Sequence, residues 1–206
     1  MLHVKDLIQD IVNTKVSNER KQILTPLIDY IKESQKTKGL TSLNFICTHN
    51  SRRSQFSQVW AHLAASHFNM NIECHSAGVE VTACNERTIA SLKRFGLLIN
   101  IKNAHSNNPV YEITYQNDLP PVVCFSKLYN DSSCPSEDFA AIMTCAHADK
   151  NCPVIPGANS RIPIRYEDPK KHDDTRLEEI MYDERSLQIA TEMFYVFNKA
   201  NVKQNH

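Results

Sequence analysis

Cys47 closes an apolar run, Leu43-Asn44-Phe45-Ile46, and Arg53-Ser54 lies six residues on. Between them stand Thr48, His49, Asn50, Ser51 and Arg52, and an amphipathic stretch follows at once. A strand that ends in a thiol, a short polar loop and a helix start together form an oxyanion trap. Loop amides and the helix N-terminus converge on one spot, where partial positive charge favours an anion. The same field, with Arg53, favours thiolate over thiol and makes Cys47 a nucleophile. Arg53 can grip two oxygens of a tetrahedral anion at once, a geometry that Lys lacks. The chemistry on offer is attack of sulfur on a phosphate-like oxyanion.

Cys, five residues, Arg, Ser is a loose pattern, and seven cysteines give it several chances to arise. An ordinary free Cys behaves as a small buried hydrophobe. Context strengthens the chemical reading. Phe56, Val59, Trp60 and Leu63 follow at helical spacing, so the loop opens a helix. The strand before and helix after that such a motif requires are both present.

Cys145-Ala146-His147-Ala148-Asp149-Lys150-Asn151-Cys152 forms a second constellation, with Pro153 next. Cys145, His147 and Cys152 could supply three metal ligands, but the spacing is unfamiliar for zinc and no fourth ligand suggests itself. As a redox pair, the two thiols could form a disulfide only if the segment is not a regular helix. Seven helical residues advance ~10 Å, beyond disulfide reach. Pro153 and the polar Asp149-Lys150-Asn151 suit a segment that loops or unwinds. Cys74, Cys84, Cys124 and Cys134 lack such context and read as packing or surface thiols.

The surrounding elements must position these groups. Leu7, Ile8, Ile11 and Val12, then Ile23, Leu24, Leu27, Ile28 and Ile31, predict two helices before Lys38-Gly39. Pro26 either kinks the second or marks its first turn. Strands are expected over Leu43–Ile46, Ile72–Ser76 and Phe139–Thr144, and a short one after Leu97. Asn85 caps a helix stopped by Gly96. Tyr111, Ile113, Tyr115 and Val122–Phe125, separated by Asp118-Leu119-Pro120-Pro121, suggest a hairpin. Thr175 with Glu178 reads as the capping box of a final helix whose apolar stripe is Leu177, Ile180, Met181, Leu187 and Phe194. Alternating strands and helices argue for an α/β fold with a mainly parallel central sheet. Its ligands bind beyond the carboxyl ends of the strands, where Cys47, Cys145 and Asp168 would converge.

Composition narrows the partners. A chain of 206 residues with 23 basic and 23 acidic side chains carries no net charge. It thus has no global field to draw nucleic acid or a membrane. No apolar stretch approaches the ~20 residues of a transmembrane helix, and Met1-Leu2-His3-Val4-Lys5-Asp6 lacks a signal-peptide core. A cytoplasmic protein is expected, in which cysteines serve as thiols, ligands or redox groups rather than structural disulfides.

Four blocks, in order, carry a resemblance. They are Phe45 through Gln55, His75-Ser76-Ala77-Gly78-Val79-Glu80, Thr144 through Pro153, and Glu167-Asp168-Pro169. The chain resembles the low-molecular-weight tyrosine phosphatase superfamily, and within it most the thioredoxin-coupled arsenate reductases. The Cys145/Cys152 pair separates that subfamily from the ordinary phosphatases. The likeness covers Leu43 to about Ala200. It implies a three-layer α/β/α domain over residues 41–206, with an insertion at about 108–137 and a helical extension over 1–40. By resemblance, Cys47 attacks arsenate while Thr48, His49, Asn50, Ser51, Arg52, Arg53 and Ser54 cradle its oxygens, and Ser54 hydrogen-bonds the thiolate. Asp168 is the general acid, Cys145 attacks the Cys47–arsenic adduct, and Cys152 carries the disulfide outward to thioredoxin. No cofactor is implied. A phosphatase acting through a cysteinyl-phosphate is the alternative, and needs only Cys47, Arg53 and Asp168. The chain departs from the family with His49 for Gly, Arg52 for Cys, and Gln58 where reductases use a Glu near a potassium ion. Lys170-Lys171-His172 replaces the tyrosines at the substrate entrance of eukaryotic phosphatases.

Overall fold

A computed structural model describes residues 4–115, 119–152 and 154–201. Asp118 and Pro153, both invoked above, lie outside the described residues. Two helices open the chain, α1 (Val4–Asn13) and α2 (Asn18–Lys38). Ser17 caps α2 by accepting the Arg20 N–H at 3.2 Å, and Gly39 ends it at φ +72°, as a left-handed C-terminal residue should. Pro26 lies inside α2 rather than in its first turn. Leu7, Ile8 and Ile11 of α1 and Leu24, Leu27 and Ile31 of α2 enter the main core.

Next come β1 (Thr41–Cys47), α3 (Arg53–His67), β2 (Ile72–Gly78), α4 (Glu86–Arg94), β3 (Leu98–Ile101), β4 (Tyr111–Thr114) and β5 (Val122–Cys124). The chain continues through β6 (Phe139–Met143), α5 (Ala146–Asn151), β7 (Ala158–Pro163) and α6 (Glu178–Ala200). One sheet runs β2-β1-β6-β7, and every pairing in it is parallel. Such a sheet must be covered on both faces, and its side chains alternate accordingly. Leu43, Phe45, Ala140 and Ile142 meet α3 and α6 through Phe56, Val59, Trp60, Met193 and Phe197. Ile46, Ala141 and Met143 face a smaller cluster with Cys145, Ala148 of α5 and Ile155. The result is an α/β/α layering, thick on one face and thin on the other.

The hairpin of β4 and β5 forms, and β3 joins it antiparallel to make a separate three-stranded sheet. The last helix departs from expectation. It starts at Glu178 behind Leu177, with no side-chain cap. Thr175 Oγ1 instead accepts the Leu177 N–H, and the Glu178 carboxylate accepts the Asp174 N–H at 2.7 Å. Leu177, Ile180 and Leu187 face solvent, while Tyr182, Ser186, Ile189, Met193 and Phe197 are buried. Polar members of that buried stripe are satisfied by distant partners: Trp60 Nε1 donates to Ser186 Oγ at 2.9 Å, and Tyr182 donates to Asp173 at 2.8 Å.

Candidate active site

Central strand β1 delivers Cys47 to the carboxyl edge of the sheet, where the residue is 3 % exposed. Ser54, in the first turn of α3, places Oγ 3.1 Å from that sulfur, and Asn50 Nδ2 donates to the same hydroxyl at 2.9 Å. Asn50 holds φ +47°, a left-handed conformation that Asn tolerates better than most residues. Its side-chain oxygen accepts the Lys127 N–H, and its carbonyl accepts from Gln55 Nε2. The side chain of Asn50 therefore fixes the loop rather than lining it. No side chain caps α3, so its first amides remain suited to an anion.

The loop rests on the end of β2. Val79 and Glu80 both donate to the Thr48 carbonyl at 2.9 Å. A Cβ at Gly78 would stand 2.8 Å from Thr48 O, Asn50 N and Glu80 O, so only glycine permits that approach. Asn85, which caps α4 by accepting the Arg87 N–H, donates its own N–H to the Ser51 carbonyl at 3.0 Å. The second sequence block is thus the support of the first.

Asp168 reaches the loop from beyond β7 and meets two guanidinium groups. Arg53 Nη2 donates to Oδ2 at 2.6 Å and Arg52 Nε to Oδ1 at 2.9 Å. The Lys170 amide donates to Oδ1 at 3.1 Å. Burial pushes the Asp168 carboxyl up, but Arg53, Arg52 and that amide outweigh it and hold the group below the usual carboxylate range. Arg52 is therefore a partner of Asp168 rather than loose charge at the loop mouth. Arg53 also donates to the Tyr166 carbonyl at 3.2 Å, while its buried Nε finds no partner among the described residues. The recess between Cys47, Ser51, Arg53 and Asp168 holds about 10 Å³, the room of roughly one water. It adjoins a cleft of about 500 Å³ lined by His49, Arg52, Cys84, Tyr111, Lys170 and Asp173. His49 leans outward to Glu80, 3.1 Å away.

Cys145 sits at the end of β6 with its sulfur 3.4 Å from Thr48 Oγ1. It caps α5 by accepting the Ala148 N–H, and Cys152 follows the last turn of that helix. The segment is thus helical where a Cys145–Cys152 disulfide needs it looped. Asp149, buried within α5, pairs with Arg161 at 2.6 Å and with Arg165, and Arg161 Nε donates to the Cys152 carbonyl at 3.1 Å. Those ties fasten α5 to β7 and the residues beyond it. His147 turns its Nδ1 to Thr48 Oγ1 at 3.2 Å. Among the described residues no three His, Cys, Asp or Glu side chains gather as a metal site would require.

The potassium ion that the resemblance associates with the position of Gln58 does not fit the residues found there. Gln58 is neutral, its oxygen accepts from Ser76 Oγ at 2.6 Å, and its amide donates to the Val123 carbonyl. A hard cation asks for charged or uncommitted oxygens. Cys74, Cys84 and Cys124 are buried, and burial pushes the Cys124 thiol up to about 12 and Cys84 well above its ordinary value. All seven cysteines are free thiols. Sequence reasoning missed the Arg52–Asp168 contact and the turn of His147 toward Thr48. Nothing local announces either one, because each joins residues about a hundred positions apart.

No family model matches the chain. Arsenate reductase 2 of Staphylococcus epidermidis is 28% identical over 128 residues, covering 62% of this chain and 78% of that protein. The arsenate reductase of Halalkalibacterium halodurans is 25% identical over 131 residues, covering 64% and 76%. Among solved structures, a low-molecular-weight phosphotyrosine phosphatase from Vibrio cholerae superposes with a TM-score of 0.53 at 13% identity, covering 81% of this chain and 99% of that one. An arsenate reductase in its phosphate-binding state gives 0.50 at 18% identity, covering 78% and 99%. The fold is that of the low-molecular-weight tyrosine phosphatases. The sequence is similar to those of the arsenate reductases. No helix among the described residues is long and apolar enough to cross a membrane.

Proposed function

We propose that this protein reduces arsenate to arsenite by a relay of Cys47, Cys145 and Cys152, with thioredoxin as the reductant. One observation carries the reading: the second thiol, Cys145, lies against the oxyanion loop, 3.4 Å from Thr48 Oγ1 and in the same buried cluster as Cys47. A plain phosphatase has no use for a thiol there. The likeness to curated arsenate reductases supports the same choice.

In this reading the Cys47 sulfur attacks arsenic, and an arsenate oxygen leaves as water with a proton from Asp168. Arsenate first takes Arg53 from the carboxylate, which removes one cation and brings negative charge close. Both changes raise the proton affinity of Asp168, as a general acid requires. Cys145 thiolate then attacks the Cys47 sulfur. A sulfur–sulfur bond forms, the sulfur–arsenic bond breaks, and its electron pair stays with arsenic, which falls from the +5 to the +3 state. Cys152 next attacks the Cys145 sulfur and frees Cys47. That second exchange requires α5 to unwind and Asp149 to release Arg161 and Arg165, since a helical turn and a half keeps the two thiols apart. A dithiol of thioredoxin closes the cycle.

The test is arsenite formation from arsenate with thioredoxin, thioredoxin reductase and NADPH. Loss of turnover in both Cys145→Ser and Cys152→Ser supports the relay. A second reading, phosphomonoester hydrolysis through a cysteinyl-phosphate, is favoured by the 500 Å³ cleft beside the loop, which could seat a leaving group. Aryl phosphate hydrolysis that needs Cys47 but not Cys145, in a protein that makes no arsenite, would select it.

A further inference from the structure

Cys145 must shed a proton before its sulfur can attack, yet its side chain is only 1 % exposed. Water cannot collect a proton from such a position directly. Apart from its cap contact with the Ala148 amide, the thiol touches one other hydrogen-bonding group among the described residues, the Thr48 hydroxyl at 3.4 Å. That hydroxyl in turn touches His147 Nδ1 at 3.2 Å, and His147 lies exposed on the outer side of α5. Thiol, hydroxyl and imidazole thus form an unbroken line from the buried sulfur to solvent.

We propose that Thr48 and His147 form a proton relay that activates Cys145 as the second nucleophile, with His147 as the terminal base. The inference rests on the reading of Cys145 as a relay thiol and adds the device that arms it. A hydroxyl both donates and accepts, and the line is satisfied in either direction. With a neutral ring, Cys145 S–H donates to Thr48 Oγ1 and Thr48 O–H donates to Nδ1. With a charged ring, Nδ1–H donates to Thr48 and the hydroxyl donates to the thiolate. The two states differ by two protons, one shifted along each hydrogen bond, and no heavy atom need travel.

Imidazole suits the task because one ring nitrogen can accept the proton and the other release it to solvent. The thiolate so formed attacks the Cys47 sulfur, the S–As bond breaks, and arsenic is the group reduced while the two sulfurs are oxidised. The imidazolium then releases its proton to solvent. His147 acts through Thr48 and is a positioning residue in this step, not a group that touches the substrate. The titratable groups on the elements around the line include Cys47 on β1 and Cys145 and Asp149 at α5. The charge of Asp149 is already matched by Arg161 and Arg165.

The experiment uses full-length protein carrying Cys152→Ser, which stops the chemistry at a Cys47–Cys145 disulfide. Reduced protein is mixed with arsenate without thioredoxin, quenched in acid, alkylated and weighed by mass spectrometry at successive times. His147→Ala in that background should form the disulfide about a hundredfold more slowly, the low end of general-base effects. Added imidazole should restore much of the rate, because the removed ring leaves an exposed site beside Thr48. Normal speed in His147→Ala would overturn the relay and leave the arsenate reading intact. Slow formation that imidazole does not rescue would also overturn it, since His147 would then merely shape α5. Absence of the disulfide in the His147 parent would remove the arsenate reading, and the relay would fall with it.

Discussion

Replacing Gly78 by Ala tests whether the end of β2 sets the geometry of the oxyanion loop. The added Cβ would stand 2.8 Å from three backbone atoms, Thr48 O, Asn50 N and Glu80 O, where ordinary contact begins at 3.4 Å. Backbone cannot rotate away as a side-chain tip can, so the loop must yield by about 0.6 Å over its length. Overpacking of that kind costs about 2 kcal/mol. For a chain of this size the melting temperature should then fall by about 4–8 °C. The kinetic effect is larger in proportion. A misplacement near 1 Å costs about 10²-fold in rate, so kcat/KM for aryl phosphate or arsenate should drop about 10- to 100-fold. The displaced atoms belong to the residues that carry the anion-facing amides, so the affinity for inorganic phosphate should weaken with the rate. Thermal melting, steady-state kinetics and phosphate inhibition measure the three effects. A Gly78→Ala protein with unchanged phosphate affinity and full activity would refute the idea that β2 buttresses the loop.

Arg52→Leu removes one of the two cations that hold Asp168 ionised, so its carboxyl moves up and the alkaline limb of kcat for aryl phosphate shifts to higher pH. The same contact stabilises the fold above the unfolded carboxylate value of about 4 and is lost as pH falls through the depressed folded value. The melting-temperature gap between wild type and Arg52→Leu should therefore close on acidification. Arg20→Ala strands the Glu192 carboxylate, which is 3 % exposed and now bound at 2.6 Å, so stability should fall by about 3 kcal/mol, read by urea unfolding. Asp149→Ala removes the buried charge itself and leaves arginines that can rehydrate. A smaller loss of about 1–2 kcal/mol is expected, with faster hydrogen exchange confined to α5; unchanged α5 protection would contradict its anchoring role.

The strand, loop and helix around Cys47 could be read directly because their signal is local. Apolar Leu43, Phe45 and Ile46 lead up to Cys47 and apolar residues then recur at Phe56, Val59, Trp60 and Leu63, all four of which are buried. The Asn85 cap and the Gly96 stop were legible for the same reason. The start of α6 was not. Its core face uses Tyr182 and Ser186, whose burial depends on Asp173 and Trp60, and its exposed face carries leucines. Polarity then points the wrong way, since tertiary partners decide which side is inside. The state of the Cys145–Cys152 segment was also beyond reach, because six helical residues leave no periodicity to count and their anchors, Arg161 on β7 and Arg165 just beyond it, lie on a separate element. Convergence of Cys47, Cys145 and Asp168 followed from topology alone, while the grip of Arg52 on Asp168 required coordinates.

Asp168 stands toward Arg53 and Arg52 as a captive carboxylate ligand, taking the fork that an incoming oxyanion would use. On the proposed reading, substrate entry is an exchange of one anion for another rather than the filling of a bare cationic hole. What the protein measures is the difference between a tetrahedral dianion and its own tethered carboxylate. Since the guanidinium charge stays matched before and after, affinity should depend only weakly on ionic strength, in contrast to a site that presents its arginines uncovered.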